Sequence, residues 1–115
     1  MTVSLFVYGS LRDPVVQRSL FGRLVEGSAD ALPGYRIDTV TIRDEAAILT
    51  SGTATHRIVQ RSIDSNDRVE GFVLHLTEAE LAIADAYEVE DYARIAVTLE
   101  SGIEAFVYAA AGDAQ

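Results

Sequence analysis

The sequence predicts an α+β fold in which a mixed β-sheet curls into a small barrel with few helices at its rim. Three features of the chain lead to this prediction. The segments follow one another as strand, short helix, several strands, one capped helix and a final hairpin, without the regular alternation of a doubly wound sheet. A length of 115 residues allows one core without disulfides. We therefore expect a single domain over residues 1–115, with a loose tail at about residues 110–115.

The first strand and the first helix are separated by a short loop. Residues 2–8 are rich in β-branched and aromatic side chains, which favours a central strand. Asp13 as N-cap and Pro14 at the first helical position predict a short helix that stops near Gly22. The loop at residues 9–12 lies between these elements, where grouped backbone N–H donors could bind an anion.

The middle of the chain is the least readable part. Residues 32–35, Leu-Pro-Gly-Tyr, are a turn signal, after which two strands are predicted at about residues 37–42 and 46–49. Residues 51–68 contain turn-forming stretches on both sides of an irregular strand around residues 56–61.

The second half of the chain gives clearer signals. Residues 69–76 alternate as a half-buried strand does. Residues 77–80, Thr-Glu-Ala-Glu, form a capping box, so a helix begins there, and it is expected to end near Glu88. Residues 93–99 and 103–108 are then two strands joined by a tight turn.

The residue composition excludes several kinds of site. The chain contains no cysteine, so a disulfide, a thiolate metal site and a cysteine nucleophile are unavailable. The two histidines, His56 and His75, do not have the spacing of metal ligands. We therefore expect no metal site.

The charge and the hydropathy of the chain exclude two classes of partner, nucleic acids and membranes. The formal net charge of −9 opposes the phosphate backbone of nucleic acids, so no nucleic-acid partner is expected. The chain has no basic segment at its start and no apolar run near the roughly 20 residues that span a bilayer. These patterns predict a soluble, cytoplasmic protein without a membrane partner.

Four motifs carry a resemblance to a known family. In chain order they are Phe6-Val7-Tyr8-Gly9-Ser10-Leu11, the pair Asp85 and Glu88, the pair Tyr92 and Arg94 entering a strand, and Val107-Tyr108. Together they resemble the gamma-glutamylcyclotransferase-like family. The likeness covers nearly the whole chain, because residues 32–35 and 69–72 also match positions at which turns and strand starts are usual in the family.

The resemblance implies a fold, a reaction and a site. It implies a small mixed barrel that releases an amine from a gamma-glutamyl group and closes the glutamyl part into 5-oxoproline, without a cofactor. It also implies that one glutamate, here Glu88, moves the protons as the catalytic residue. The substrate-binding candidates are the loop residues, acting through their backbone, and three side chains near the acidic motif: Tyr8, Gly9, Ser10, Leu11, Tyr92, Arg94 and Tyr108.

Independent physical arguments also favour Glu88. A carboxylate at a helix C-terminus faces the negative end of the helix dipole, and a pocket would desolvate it; both effects raise its pKa from about 4.3. In the reaction that the resemblance implies, the substrate's own α-amine is the nucleophile, so the protein needs none. Ser10 is a poor nucleophile candidate because the Gly-x-Ser-x-Gly elbow is absent.

Other interpretations stay open at this point. If only its spacing in the sequence is considered, Glu88 is a solvated carboxylate at a helix end. Arg94 is then a surface residue that pairs with nearby acidic side chains. The domain itself could be a non-catalytic module of the same fold that binds a small metabolite or a protein. A related amide hydrolase that forms no ring is a further alternative.

Overall fold

Seven strands in one sheet and two α-helices make up the described part of the chain, residues 2–41, 55–64, 66–88 and 92–110 of a computed structural model. The strands are β1 (Thr2–Val7), β2 (Gly27–Pro33), β3 (Tyr35–Thr41), β4 (Thr55–Arg61), β5 (Arg68–Thr77), β6 (Tyr92–Thr98) and β7 (Glu104–Ala110). The helices are α1 (Pro14–Phe21) and α2 (Glu78–Tyr87), and a 3₁₀ turn covers Ser10–Arg12.

The sheet is mixed, as expected, and its strand order is β2-β5-β1-β7-β4-β3, with β6 also paired to β7. β7 runs parallel to β1 and β4 and antiparallel to β6, whereas β1 and β5 are antiparallel. The predicted closure into a barrel is wrong for the described strands, since the sheet is open, with β2, β3 and β6 at its edges. The antiparallel pair of β3 and β4 joins β7 through one residue pair, Val59 with Ala109.

Both helices begin and end at the predicted signals. The Asp13 carboxylate accepts a hydrogen bond of 2.9 Å from the Val15 N–H, and α1 stops at Gly22, whose φ of 70° is left-handed. At the start of α2, Thr77 and Glu80 exchange the two bonds of a capping box, at 3.1 and 3.0 Å.

β2 is an element that the sequence did not predict. Its residues, Gly-Ser-Ala-Asp-Ala-Leu-Pro, include Gly, Ser and Asp, which are poor strand formers. It forms because it pairs with β5 along its whole length, from Gly27 opposite Leu74 to Pro33 opposite Arg68. Tertiary pairing therefore overrides local preference here, while the predicted turn is confirmed at Gly34, between β2 and β3.

The remaining strand predictions are mostly confirmed. The segment around residues 56–61 is regular, since β4 pairs with β3 over seven positions. The strand expected at residues 46–49 lies outside the described residues. β7 includes Ala110, where the tail was expected to begin, and residues 111–115 also lie outside the described part.

Apolar side chains cover both faces of the sheet. On the face under α1 and α2, a buried cluster includes residues from β1, β5, β7 and both helices: Leu5, Val7, Leu11, Val16, Val25, Leu74, Leu76, Leu81, Ala84 and Tyr108. The opposite face carries a second cluster: Phe6, Tyr8, Leu32, Tyr35, Val59, Val69, Val73, Leu99, Ala105, Val107 and Ala109. No helix in the described ranges is long and apolar enough to cross a membrane.

Candidate active site

The topology brings the candidate residues to one edge of the sheet. Because β1 and β7 are parallel, their carboxyl ends, which lead to Tyr8 and Tyr108, meet at the same edge. β6 is antiparallel to β7, so Tyr92 and Arg94 at its amino end lie there too. α2 runs back along the sheet after β5, and Glu88 therefore arrives at this edge.

Glu88 caps the C-terminus of α2, where its N–H donates to the Ala84 carbonyl at 3.0 Å. Its side chain is half-buried by exposed area, but enough protein surrounds the carboxyl to desolvate it. Desolvation and the nearby Asp85 charge together raise the pKa of Glu88 to about 8. Glu88 therefore holds its proton at neutral pH for most of the time.

Two tyrosines lie close to this carboxyl. Burial is the main cause that raises the pKa of Tyr8 and of Tyr108, and the charge of Glu88 contributes to both shifts. Tyr92, which packs against the helix-side cluster, raises the pKa of Tyr8 as well. Tyr8 and Tyr108 are therefore neutral near Glu88 over the whole physiological pH range.

The hydroxyl of Tyr8 makes hydrogen bonds to the backbone of two strands. It donates a hydrogen bond of 2.5 Å to the Tyr108 carbonyl and accepts one of 3.2 Å from the Val59 N–H. The buried phenol thus bridges β7 and β4 at the point where the two strands join. Tyr8 was expected to contribute to substrate binding through its backbone, and this side-chain role was not foreseen.

Asp85 contacts two of the predicted binding residues. Its Oδ1 accepts a hydrogen bond of 2.7 Å from the Tyr108 hydroxyl and lies 3.1 Å from Nε of Arg94. The Arg94 guanidinium lies over the Phe106 ring, 4.7 Å from its centroid. The sequence pointed to Asp85 only as part of the motif that ends in Glu88.

The loop after β1 forms the 3₁₀ turn. The Arg12 N–H donates to the Gly9 carbonyl at 3.0 Å. This bond uses the N–H of Arg12 and none of the N–H groups of Gly9, Ser10 and Leu11. The hydrogen bond of the turn therefore does not use these three donors. The first N–H groups of a helical turn generally have no acceptor within the turn.

Gln17 on α1 holds this loop in place, a role that sequence reasoning missed. Its Nε2 donates to the Leu11 carbonyl at 2.9 Å, and its Oε1 accepts from the Val25 N–H at 2.9 Å. The residue is only 5% exposed. The sequence held one signal for this role. Gln17 follows Val16 on a short helix, so it could be buried, and a buried amide normally has specific hydrogen-bond partners.

The chemistry of the described side chains is that of carboxyl, hydroxyl and guanidinium groups. Within the described ranges no group of three or more His, Asp or Glu side chains is placed to hold a metal. His75 is exposed on β5, away from the helix-side cluster. The arrangement can therefore transfer a proton at Glu88 and offer hydrogen bonds around it.

A sequence model of a protein family matches residues 5–115 of the chain. Its description is "Gamma-glutamyl cyclotransferase, AIG2-like". The chain belongs to this family.

Solved structures share the fold of this chain. A protein from Arabidopsis thaliana studied in solution is 26% identical with a TM-score of 0.75, and the match covers 99% of this chain and 72% of that one. A gamma-glutamyl cyclotransferase is 16% identical with a TM-score of 0.75, over 96% of this chain and 67% of that one.

A third structure is the allophanate hydrolase of Kluyveromyces lactis, 14% identical with a TM-score of 0.69, over 96% of this chain and 17% of that one. At 16% and 14% identity the likeness concerns the fold alone. No curated protein sequence matches the chain.

Proposed function

We propose that this chain is a cyclotransferase that releases an amine from a gamma-glutamyl compound and forms 5-oxoproline. Glu88 is the general acid and base of this proposal. The observation that carries it is a half-buried carboxyl with a pKa of about 8 beside Tyr8 and Tyr108, in a chain that belongs to the cyclotransferase family.

The proposed reaction needs two proton transfers. The substrate's α-amine attacks its own γ-carbonyl carbon, a new C–N bond closes the ring, and Glu88 takes the proton from that nitrogen. The bond to the leaving amine then breaks, and Glu88 returns the proton to the leaving nitrogen. Ring closure within one molecule supplies proximity, so the steps require no protein nucleophile and no cofactor.

The proton affinity of Glu88 suits this double role. A general acid and base works best when its pKa lies near the working pH. With a pKa of about 8, roughly a tenth of the molecules carry an ionised Glu88 at pH 7. The ionised form accepts the first proton, and the resulting acid is strong enough to give it up again.

The proposal assigns roles to the remaining candidate residues. In the proposal the N–H groups of Gly9, Ser10 and Leu11 bind the substrate's α-carboxylate or the oxyanion that forms on the γ-carbonyl. Tyr92, Arg94 and Tyr108 form walls of the substrate site.

The decisive experiment measures 5-oxoproline released from a panel of gamma-glutamyl amines by the wild type and Glu88→Gln. Glutamine has the same size but cannot exchange a proton, so turnover is expected to fall by on the order of 10² to 10⁴. Glu78→Gln, at the other end of α2, is the matched control and should keep wild-type turnover.

The possible products separate the proposal from its alternatives. Near-normal turnover of Glu88→Gln would remove Glu88 from the chemistry. Free glutamate in place of 5-oxoproline would indicate an amide hydrolase. Binding of a gamma-glutamyl compound without turnover by the wild type would indicate a binding module.

The proposal also covers the partners and the location of the protein. A small-molecule gamma-glutamyl substrate is supported by the family, and the net charge of −9 supports the absence of a nucleic-acid partner. A cytoplasmic location is part of the same proposal.

A further inference from the structure

Asp85 links the two sides of the candidate site. Its Oδ1 accepts the Tyr108 hydroxyl at 2.7 Å and lies 3.1 Å from Nε of Arg94. Tyr108 belongs to β7 and Arg94 to β6, so one carboxylate on α2 holds side chains from two strands. Both contacts fall on the same oxygen, which restricts the orientation of the two donors.

The Arg94 side chain is held from two directions. Phe106 on β7 supports its guanidinium, with 4.7 Å between Cζ and the ring centroid, while Asp85 contacts Nε. An exposed ion pair alone contributes little to stability. Stacking on a ring adds a cation–π attraction and limits the rotamers open to Arg94, so its positive charge stays beside Asp85.

Asp85 also acts on Glu88. The two residues are three positions apart along the end of α2, the spacing at which side chains on a helix are neighbours. A like charge at that distance opposes the ionisation of Glu88, and Asp85 is the second cause, after desolvation, of its raised pKa.

The other described groups around Glu88 add little charge. Tyr8 follows β1 and Tyr108 lies on β7, and both stay neutral because their pKa values are raised. Tyr92 on β6 lies close to Tyr8. Among the described residues, the charge that acts on Glu88 is therefore that of Asp85 on α2, which the Arg94 guanidinium, 3.1 Å from the Asp85 Oδ1, partly neutralises.

We propose that Asp85 is the positioning residue of this site, fixing the Tyr108 hydroxyl and the Arg94 guanidinium and setting the net charge that Glu88 faces. Its meaning for catalysis rests on the proposed cyclotransferase function, whereas its effect on Glu88 is a property of the folded protein. Asp85 acts through Glu88 and Tyr108 and need not touch the substrate.

The test measures the titration of Glu88 directly, by carbon NMR of its side-chain carboxyl, in the wild type and three variants. Asp85→Asn removes the negative charge and leaves Arg94 uncompensated, so the midpoint for Glu88 is expected to fall by on the order of one pH unit. Arg94→Gln leaves the Asp85 charge uncompensated, so the midpoint is expected to rise.

Glu78→Gln is the matched control. It removes the same kind of charge from the first turn of α2, ten positions and roughly 15 Å from Glu88, which exceeds the Debye length of about 8 to 10 Å in ordinary buffers. Its Glu88 midpoint is expected to equal that of the wild type.

The opposite directions of the two variants exclude a merely structural disturbance. An unchanged or raised Glu88 midpoint in folded Asp85→Asn, or an unchanged or lowered one in Arg94→Gln, would overturn the role of Asp85. If Asp85→Asn does not fold, the direction of the shift in Arg94→Gln decides.

The pH dependence of kcat/KM for 5-oxoproline release connects this role to catalysis. The alkaline rise in rate that reports ionised Glu88 is expected to move with the NMR midpoint in each variant. A midpoint that shifts while the wild type turns over no gamma-glutamyl compound would contradict the proposed function alone. If the pH profile of turnover stays the same in variants whose Glu88 midpoint has shifted, Asp85 has no role in catalysis.

Discussion

The hydroxyl of Tyr8 donates a hydrogen bond of 2.5 Å to the backbone carbonyl of Tyr108, one hundred positions later in the chain. The same hydroxyl accepts the Val59 N–H. A side chain thus takes the place of a ladder hydrogen bond between β4 and β7, which otherwise pair only through Val59 and Ala109. The Tyr8 phenol therefore connects the end of β1 to the junction between β4 and β7.

Tyr8→Phe is expected to destabilise the protein by about 1 to 3 kcal/mol, because it leaves the Val59 N–H and the Tyr108 carbonyl without this buried partner. Urea denaturation measures the loss. Tyr35→Phe is a suitable control, since Tyr35 belongs to the same apolar cluster and no hydrogen bond of its hydroxyl is seen among the described residues. Equal losses in the two variants would show that the bridge contributes no stability.

Gln17→Leu is expected to lower the free energy of unfolding by about 1 to 3 kcal/mol, because the buried Leu11 carbonyl and Val25 N–H lose their partners. Calorimetric titration should also show weaker binding of gamma-glutamyl compounds if the adjoining loop binds substrate. Val15→Ala, at an exposed position of α1, should change stability by less than about 0.5 kcal/mol. A stable Gln17→Leu variant with unchanged binding would contradict this view of the loop.

Gly71→Ala is expected to cost about 1 to 3 kcal/mol of stability through overpacking. A Cβ at Gly71 would collide with the Val7 carbonyl oxygen and the edge of the Phe6 ring, where β5 pairs with β1. Thermal unfolding measures the effect. Ser28→Ala, at an exposed position of the neighbouring strand β2, serves as the control, and a Gly71→Ala melting temperature as high as that of the control would refute the close approach.

The pKa of Glu88, raised to about 8, predicts how stability depends on pH. Between about pH 4.5 and 8 the unfolded chain releases this proton while the folded protein keeps it, so the free energy of unfolding falls as pH rises and levels off above pH 8. Glu88→Gln should remove this slope and gain on the order of 1 to 3 kcal/mol at about pH 8, allowing for partial exposure of the carboxyl.

Urea denaturation at several pH values across that window checks the slope. Glu80 does not interfere, since Arg23 lowers its pKa to about 2 and its contribution changes only below about pH 4.5. Parallel curves for the wild type and Glu88→Gln would mean that Glu88 titrates as it does in the unfolded chain.

Local signals in the sequence determined much of this molecule. The N-cap at Asp13, the stop at Gly22 and the capping box from Thr77 to Glu80 each depend on residues within one helical turn, so the sequence suffices to predict them. The alternating pattern of β5 likewise predicted which of its side chains share a face of the sheet. The family motifs pointed to Glu88 and to the loop that begins at Gly9.

Only the tertiary structure decided the features that depend on residues far apart. β2 exists because β5 pairs with it, and the sheet is open because β4 joins β7 at a single pair. The contacts of Asp85 with Arg94 and Tyr108 require two strands and a helix to meet at one edge. The sequence predicted the direction of the pKa shift at Glu88, but its size follows from desolvation and charge in the folded chain, which periodicity and capping do not encode.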